Sequence, residues 1–353
     1  MTHGMTDTLP HLSPAAFILR DAAPVVTRTN LQRLTGKRIL VTGASGLVGI
    51  YLLACLRHLL DGGAPGTTIH ILVHSEPLPY FRELADHPSI RLIKGDLSSP
   101  DCWQTLPIAD VIVHAAGYGQ PGRFLADPVK TIALNSSATL ALFDHLAPDG
   151  RFLFISSSEI YSGLPPRACQ EHEVGTTAPD HPRACYIEGK RCGEAICHAW
   201  RARGAAAYAA RLALAYGPGT REDDARVLNA FIQRGLQQGR ITMLDAGLAT
   251  RTYCYITDAV ELLLHILLDG REAVYNVGGQ SRTTIAGLAG MIGDILQVPV
   301  NIPSAGPGVA GAPADVSLDM TRCRTEFCKE HYVSLEEGLQ RTVEWQRLVR
   351  AQR

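Results

Sequence analysis

Tyr186 and Lys190 stand in the run Tyr186-Ile187-Glu188-Gly189-Lys190, a spacing that sets a phenol and an ammonium on one face of a helix. A free phenol, with a pKa of about 10, is a poor base at neutral pH, and a neighbouring cation favours its phenolate. The pair suits removal of a proton from an alcohol while hydride leaves the same carbon. Upstream, an apolar run ends in Ser156-Ser157-Ser158-Glu159-Ile160-Tyr161. There the Ser157 hydroxyl is expected to hydrogen-bond the reacting oxygen as its charge develops.

A hydride needs an acceptor, and Thr42-Gly43-Ala44-Ser45-Gly46-Leu47-Val48-Gly49 offers a seat for a dinucleotide. The string follows a predicted strand and opens a predicted helix, the context that gives such glycines meaning. Gly43 permits the tight turn, Gly46 the approach of a pyrophosphate and Gly49 close packing of helix on strand, with Ser45, Leu47 and Val48 in the same turn. The second strand ends in Val73-His74-Ser75-Glu76. No Arg or Lys stands at that end to receive a 2′-phosphate, so NAD is expected beside His74 while NADP stays open. Gly95-Asp96-Leu97 is expected to bring Asp96 near the adenine amino group, and His114-Ala115-Ala116-Gly117 to run small residues beneath the cofactor.

These groups need strand ends to carry them. Runs at 38–42, 69–73, 91–94, 111–114, 152–155 and 207–212 have apolar centres, as strands covered on both faces do. Between the first two, Val48, Leu52, Cys55, Leu56 and Leu59 recur at helical spacing. The alternation predicts an α/β fold, a doubly wound parallel Rossmann sheet with a smaller C-terminal substrate-binding lobe. Residues 36–215 are expected to form the NAD(P)-binding domain, with 252–280 returning to it, and 216–251 and 281–345 to form the lobe. Residues 1–35 read as an extension packed on the core or on a neighbouring subunit.

A formal net charge of -1 over 353 residues gives no basic field for nucleic acid or an anionic membrane, so a small molecule is the expected partner. The nine cysteines form no CxxC pair and no zinc-like spacing; they are expected to be reduced thiols of a cytoplasmic protein that binds no metal. His145, His172, His181 and His198 fall in no ligand spacing either. No apolar stretch reaches the roughly 18 residues of a membrane span, and the first residues lack the basic head and apolar run of a secretory signal.

With these residues in place, the chain resembles the extended short-chain dehydrogenases that act on nucleotide sugars as epimerases, dehydratases and decarboxylases. The resemblance spans residues 37–345. Beyond the glycines and the Ser-Ser-Glu turn, it rests on Asp127-Pro128-Val129-Lys130-Thr131 with Asn135, Tyr216-Gly217-Pro218, Asp224 with Arg226-Val227, Arg251-Thr252-Tyr253-Cys254-Tyr255 with Asp258, and Val333-Ser334-Leu335-Glu336-Glu337-Gly338-Leu339. The stretch Pro182-Arg183-Ala184-Cys185-Tyr186-Ile187-Glu188-Gly189-Lys190-Arg191 is very similar to its counterpart in UDP-glucuronate decarboxylases.

The resemblance implies Ser157, Glu159, Tyr186 and Lys190 as catalytic, and adds Thr131 and Ala215 to the cofactor contacts, which also include Leu97, Tyr186 and Lys190. It implies Lys130, Ser158, Arg221, Arg226 and Arg251 as substrate contacts, and a homodimer. It further implies NAD reduced and re-oxidised within one turnover. A nucleotide sugar or nucleoside-like sugar would be oxidised at C4 to a keto intermediate and then decarboxylated or epimerised. The alternatives are an NADPH-dependent ketoreductase of a keto sugar and a sugar dehydratase. Oxidation at C4 of a uronic acid creates a β-keto acid that loses CO2 readily, whereas a dehydratase of this kind typically places an Asp-Glu pair where this chain has Ser158-Glu159. Leu214 stands where the family usually has an Asn facing the substrate diphosphate, Gly219 where it has an Arg, and 312–318 lacks a further Arg. Each charge-assisted hydrogen bond is worth about 1.5–3 kcal/mol, so an anchoring group other than an ordinary nucleotide diphosphate is expected.

Overall fold

The apolarity of the short runs is accounted for by burial on both faces of one sheet, except in the edge run 91–94, where Arg91, Leu92 and Lys94 are exposed. The computed structural model describes residues 12–304 and 317–352. Among them are β1 (Arg38–Thr42), β2 (Thr68–Val73), β3 (Ile90–Lys94), β4 (Ala109–His114), β5 (Leu146–Ser157), β6 (Ala206–Leu212) and β7 (Val274–Val277). They form one sheet in the order β7-β6-β5-β4-β1-β2-β3, every neighbouring pair parallel. Because β1 lies between β2 and β4, the winding reverses there and opens a crevice beyond the carboxyl ends of the strands, the usual place for a ligand in such sheets.

Helices cover both faces: α1 (Pro14–Arg28), α2 (Leu47–Asp61), α3 (Pro128–Asn135), α4 (Ala184–Ala202), α5 (Val227–Gln238), α6 (Ile256–Asp269), α7 (Ile285–Leu296) and α8 (Leu335–Ala351). Successive strand residues point to opposite sides. Ile39 and Val41 accordingly join the core beneath α1, α2 and α6, while Leu40 joins Ile112, Phe152, Phe154 and Ile196 beneath α4. α3 packs on α4 on that second side.

The extension is a core element. Ser13 caps α1 by accepting from the Ala16 N–H at 3.1 Å, and Ala15, Ile18, Ala22 and Val25 are fully buried. Asp21 accepts hydrogen bonds from the Tyr51 hydroxyl at 2.6 Å, the Tyr255 hydroxyl at 2.7 Å and Arg341 at 2.8 Å. The helix thus ties α2, the strand Thr250–Tyr255 and α8 together. Residues 1–11 lie outside the described residues.

Past β6 the chain makes a small sheet of Ser281–Thr284, Thr250–Tyr255 and Leu214–Tyr216, with α5, α7 and α8 packed nearby. From it α6 returns to lie on α2, and β7, a four-residue strand too short to show in the sequence pattern, pairs with β6 at the sheet edge. Among the described residues no helix is long and apolar enough to cross a membrane.

Candidate active site

β5 delivers Ser157 to the crevice, and a single 3-10 turn, Ser158–Tyr161, redirects the chain there. α4 then passes across the mouth with Tyr186 and Lys190 one turn apart on its buried side. These residues line a cavity of about 390 Å³ that runs from the glycine-rich turn to Arg226.

Tyr186 lies with its ring stacked on Phe124 at 4.8 Å between centroids. Burial pushes its phenol up to about 12, against the pull of a hydrogen bond from Ser157. The Ser157 hydroxyl oxygen also accepts the Glu159 N–H at 3.2 Å, which fixes the turn. Lys190 Nζ donates to the Ile155 carbonyl at 2.7 Å and sits 5.7 Å from the Tyr186 ring centroid. Burial brings its ammonium down to about 7, opposed by the carboxylate of Glu194 one turn further along α4. A hydroxyl, a phenol and an amine thus converge on one wall. That wall can hold an alcohol and take its proton.

The opposite wall is the cradle for a dinucleotide. Gly43 has φ +69°, and a Cβ there would lie 2.4 Å from the Ala115 carbonyl oxygen; a Cβ on Gly49 would lie 2.4 Å from the Ala44 Cα. Only glycine permits both approaches. Gly46 caps α2, whose first N–H groups open toward the cavity beside Ser45, Leu47 and Val48. His74, Leu97, Ala115, Ala116, Gly117 and Ala215 all line the same space. Asp96 lines it too, with one carboxylate oxygen on Ser98 and the other on Lys130 at 2.6 Å. Burial opposes its ionisation, yet these partners hold it down at about 2. The cradle fits a dinucleotide, and the turn behind it is braced. His114 Nδ1 meets the Thr42 hydroxyl at 2.8 Å, and Thr42 Oγ1 accepts the Ala116 N–H at 3.3 Å. Burial pushes the imidazole down to about 3, so the ring acts as a neutral brace.

Two expected contacts lie off the lining. Thr131 is fully buried with its hydroxyl donating to the Asp127 carbonyl at 2.8 Å, which leaves it out of the cavity wall. Arg251 is not in the lining either, although its charge reaches Glu159. Lys130 reaches the cavity, where Asp96 already holds it. Ser158, Arg221 and Arg226 line the space, with Arg221 paired to Asp223 at 3.0 Å and Arg226 to Asp224 at 2.6 Å. Leu214 and Gly219 are also in the wall.

Glu159 is tied to Arg183 at 2.6 Å. Burial raises its carboxyl above the ordinary value, against the charges of Arg183 and Arg251. Arg183 itself lines the cavity and its guanidinium lies 5.6 Å from the Phe124 ring centroid. Neither Arg183 nor Phe124 was singled out from sequence as a site residue. For Arg183 a signal existed in its place on the turn leading into Tyr186. Phe124 had none. Among the described residues no cluster of His, Cys, Asp and Glu is arranged to hold a metal ion.

Residues 39–278 match the model of the NAD dependent epimerase/dehydratase family. The chain belongs to that family. A UDP-glucuronic acid decarboxylase of Arabidopsis thaliana is 30% identical over 87% of the chain and 69% of its own length. Among solved structures, an epimerase from Methanothermobacter thermautotrophicus superposes with a TM-score of 0.77 at 21% identity, covering 93% of this chain and 97% of that one. A UDP-glucuronic acid 4-epimerase from Bacillus cereus, solved with UDP-glucuronic acid and NAD, gives 0.73 at 23% identity over 88% and 99%. Structural likeness at these identities speaks for the fold. Membership of the epimerase/dehydratase family rests on the family model and on the plant decarboxylase.

Proposed function

We propose that the protein is an NAD-dependent decarboxylase of a uronic acid carried on a nucleotide or nucleoside-like anchor, working through a C4-keto intermediate. The observation that carries this reading is the Ser157, Tyr186 and Lys190 wall facing the glycine cradle across one cavity. NAD, held by the glycine turn, supplies the acceptor and later the donor of one hydride. Tyr186 takes the C4 hydroxyl proton, Ser157 hydrogen-bonds that oxygen, and Lys190 favours the phenolate. Once C4 is a ketone, the sugar is a β-keto acid. Loss of CO2 moves its electron pair onto the C4 oxygen, where the Tyr186 O–H and Ser157 stabilise the charge.

The Ser158-Glu159 turn favours decarboxylation over dehydration. Expelling a hydroxyl calls for an acid and a base at this place, and the turn offers one carboxyl group, itself tied to Arg183. The wall around Leu214 and Gly219, with Arg221 and Arg226 already paired to carboxylates, supports an anchor other than an ordinary diphosphate. Incubation with a panel of uronic acids, including UDP-glucuronate, while CO2 and product mass are followed tests the reading. Release of CO2 with no net consumption of NAD is expected. An isomer of unchanged mass would convert the assignment to epimerisation, and stoichiometric consumption of NADPH with a keto sugar would convert it to a reductase.

We infer further that residues 36–215 with 252–280 form the cofactor-binding unit, and that 216–251 with 281–345 close the substrate side. A homodimer through the helices at 121–144 is supported by the apolar side chains they expose, Leu125, Val129, Ile132 and Leu140. A cytoplasmic location is supported by the nine cysteines, all free thiols.

A further inference from the structure

Two segments from opposite faces of the sheet meet across the crevice. The short helix Pro121–Ala126 belongs to the α3 and α4 side, where Phe124 anchors it on the Tyr186 ring. The loop after Tyr216 belongs to the other side. At Gly219, with φ +90°, it rests on that side's helices, and a Cβ there would stand 3.5 Å from Leu47 Cδ1 and 3.8 Å from the Cδ1 atoms of Ile18 and Ile50. Leu47 is the first residue of α2, beside the glycine turn that receives the pyrophosphate. Each segment is therefore fixed at its root, one on the catalytic tyrosine and one on the dinucleotide cradle.

Their tips are joined by charge. Arg123 Nη2 meets Asp223 Oδ2 at 2.9 Å, and Arg221 Nε meets Oδ1 of the same carboxylate at 3.0 Å. Asp223 stands outside the cavity lining, whereas Arg123 and Arg221 both line it. One carboxylate thus holds two guanidiniums from behind. The ties are half-exposed, with side-chain exposures of 44%, 54% and 39% for Arg123, Asp223 and Arg221. Such a contact stabilises little and breaks easily, as a latch has to.

We propose that Arg123, Asp223 and Arg221 form an ionic strap across the open side of the dinucleotide crevice and that this strap sets how long the cofactor stays bound. The inference rests on the NAD-dependent reading above and adds a reason for retention. An enzyme that returns its hydride within one turnover gains from a cofactor that does not leave, and the strap must open before a dinucleotide can. Arg123 and Asp223 are positioning residues in this account, since neither takes part in proton or hydride transfer.

Release of NADH from the full-length protein, followed by its fluorescence after rapid mixing with excess NAD, tests the strap. Arg123→Ala and Asp223→Asn are each expected to speed release about two- to fivefold, the range of one exposed ion pair. The double variant should release no faster than the more affected single, because both changes cut the same tie. Arg123→Lys should restore part of the retention. Raising the salt should speed release from the wild type and leave Arg123→Ala nearly unmoved. Equal release rates in wild type and Arg123→Ala would overturn the strap while leaving the cofactor reading intact. Slower release from Asp223→Asn would also overturn it, since the freed arginines would then be gripping the dinucleotide themselves. Failure of the wild type to bind NAD or NADH at all would overturn the cofactor reading, and the strap with it.

Discussion

Replacing Tyr186 by Phe removes one oxygen and leaves a ring that can keep its stack on Phe124 at 4.8 Å. The fold and cofactor binding are expected to survive, and the proton acceptor is lost. With its phenol at about 12, roughly one molecule in 10⁵ carries a phenolate at pH 7, five pH units below. The rate of C4 oxidation should therefore rise with pH, by up to about tenfold per unit while the phenol remains mostly protonated. Lys190 bends this slope. Burial holds it at about 7, so above that pH it loses its charge and with it part of the pull on the phenolate, and the rise should flatten. A positioned general base is worth about 10²–10⁴-fold, which is the loss expected in Tyr186→Phe. The assay is a single turnover in which the wild type and the variant, both loaded with NAD, are mixed with whichever uronic acid of the panel the wild type decarboxylates, and reduced nicotinamide is followed over pH 6 to 9. A variant rate within tenfold of wild type, or a wild-type rate that falls from pH 6 to 7, would refute the assignment of Tyr186 as base.

Gly43→Ala forces a methyl to within 2.4 Å of the Ala115 carbonyl at a φ of +69°. Left-handed backbone alone costs about 1–2 kcal/mol, so calorimetry should show NAD affinity reduced at least tenfold, and unchanged affinity would count against the cradle. Asp21→Ala leaves the buried hydroxyls of Tyr51 and Tyr255 without their acceptor. At about 1–3 kcal/mol for each unsatisfied group, urea unfolding should show stability lowered by roughly 2–6 kcal/mol; a loss below about 1 kcal/mol would mean that α1 is only loosely held. Val129→Glu together with Leu140→Glu puts charges at residues that are 77% and 51% exposed, so the monomer should fold normally while light scattering shows the proposed dimer lost; a wild type that is itself monomeric would refute the dimer. A dimer of unchanged mass would place the interface elsewhere.

What could be read from the sequence was what short segments determine. Six of the seven strands were legible as short runs with apolar centres, β7 being too short to show, and the reversal at β1 follows from winding rules. Ser157, Tyr186 and Lys190 were legible because a strand end and one helical turn suffice to place them. Thr131 shows where this fails. It neighbours Lys130 on α3, and adjacent helical residues point about 100° apart, so Lys130 reaches the cavity and Thr131 turns into the core. A motif assigns both residues to a site; only the helix rotation separates them. The pairing of Arg123 with Asp223 spans 100 positions, and no local pattern announces it. Glu159 lay in plain view, but its tie to Arg183 depends on how far α4 enters the crevice. The extension is a different case. Ala15, Ile18, Ala22 and Val25 recur at three- and four-residue intervals, the stripe of a helix with one buried face, and Ser13 followed by Pro14 is an ordinary helix start. Asp21 falls on the same face as Ile18 and Ala22, so a carboxylate in that stripe called for buried partners. The hub joining α1, the strand Thr250–Tyr255 and α8 was therefore partly written in the first 28 residues; which hydroxyls would answer Asp21 was not.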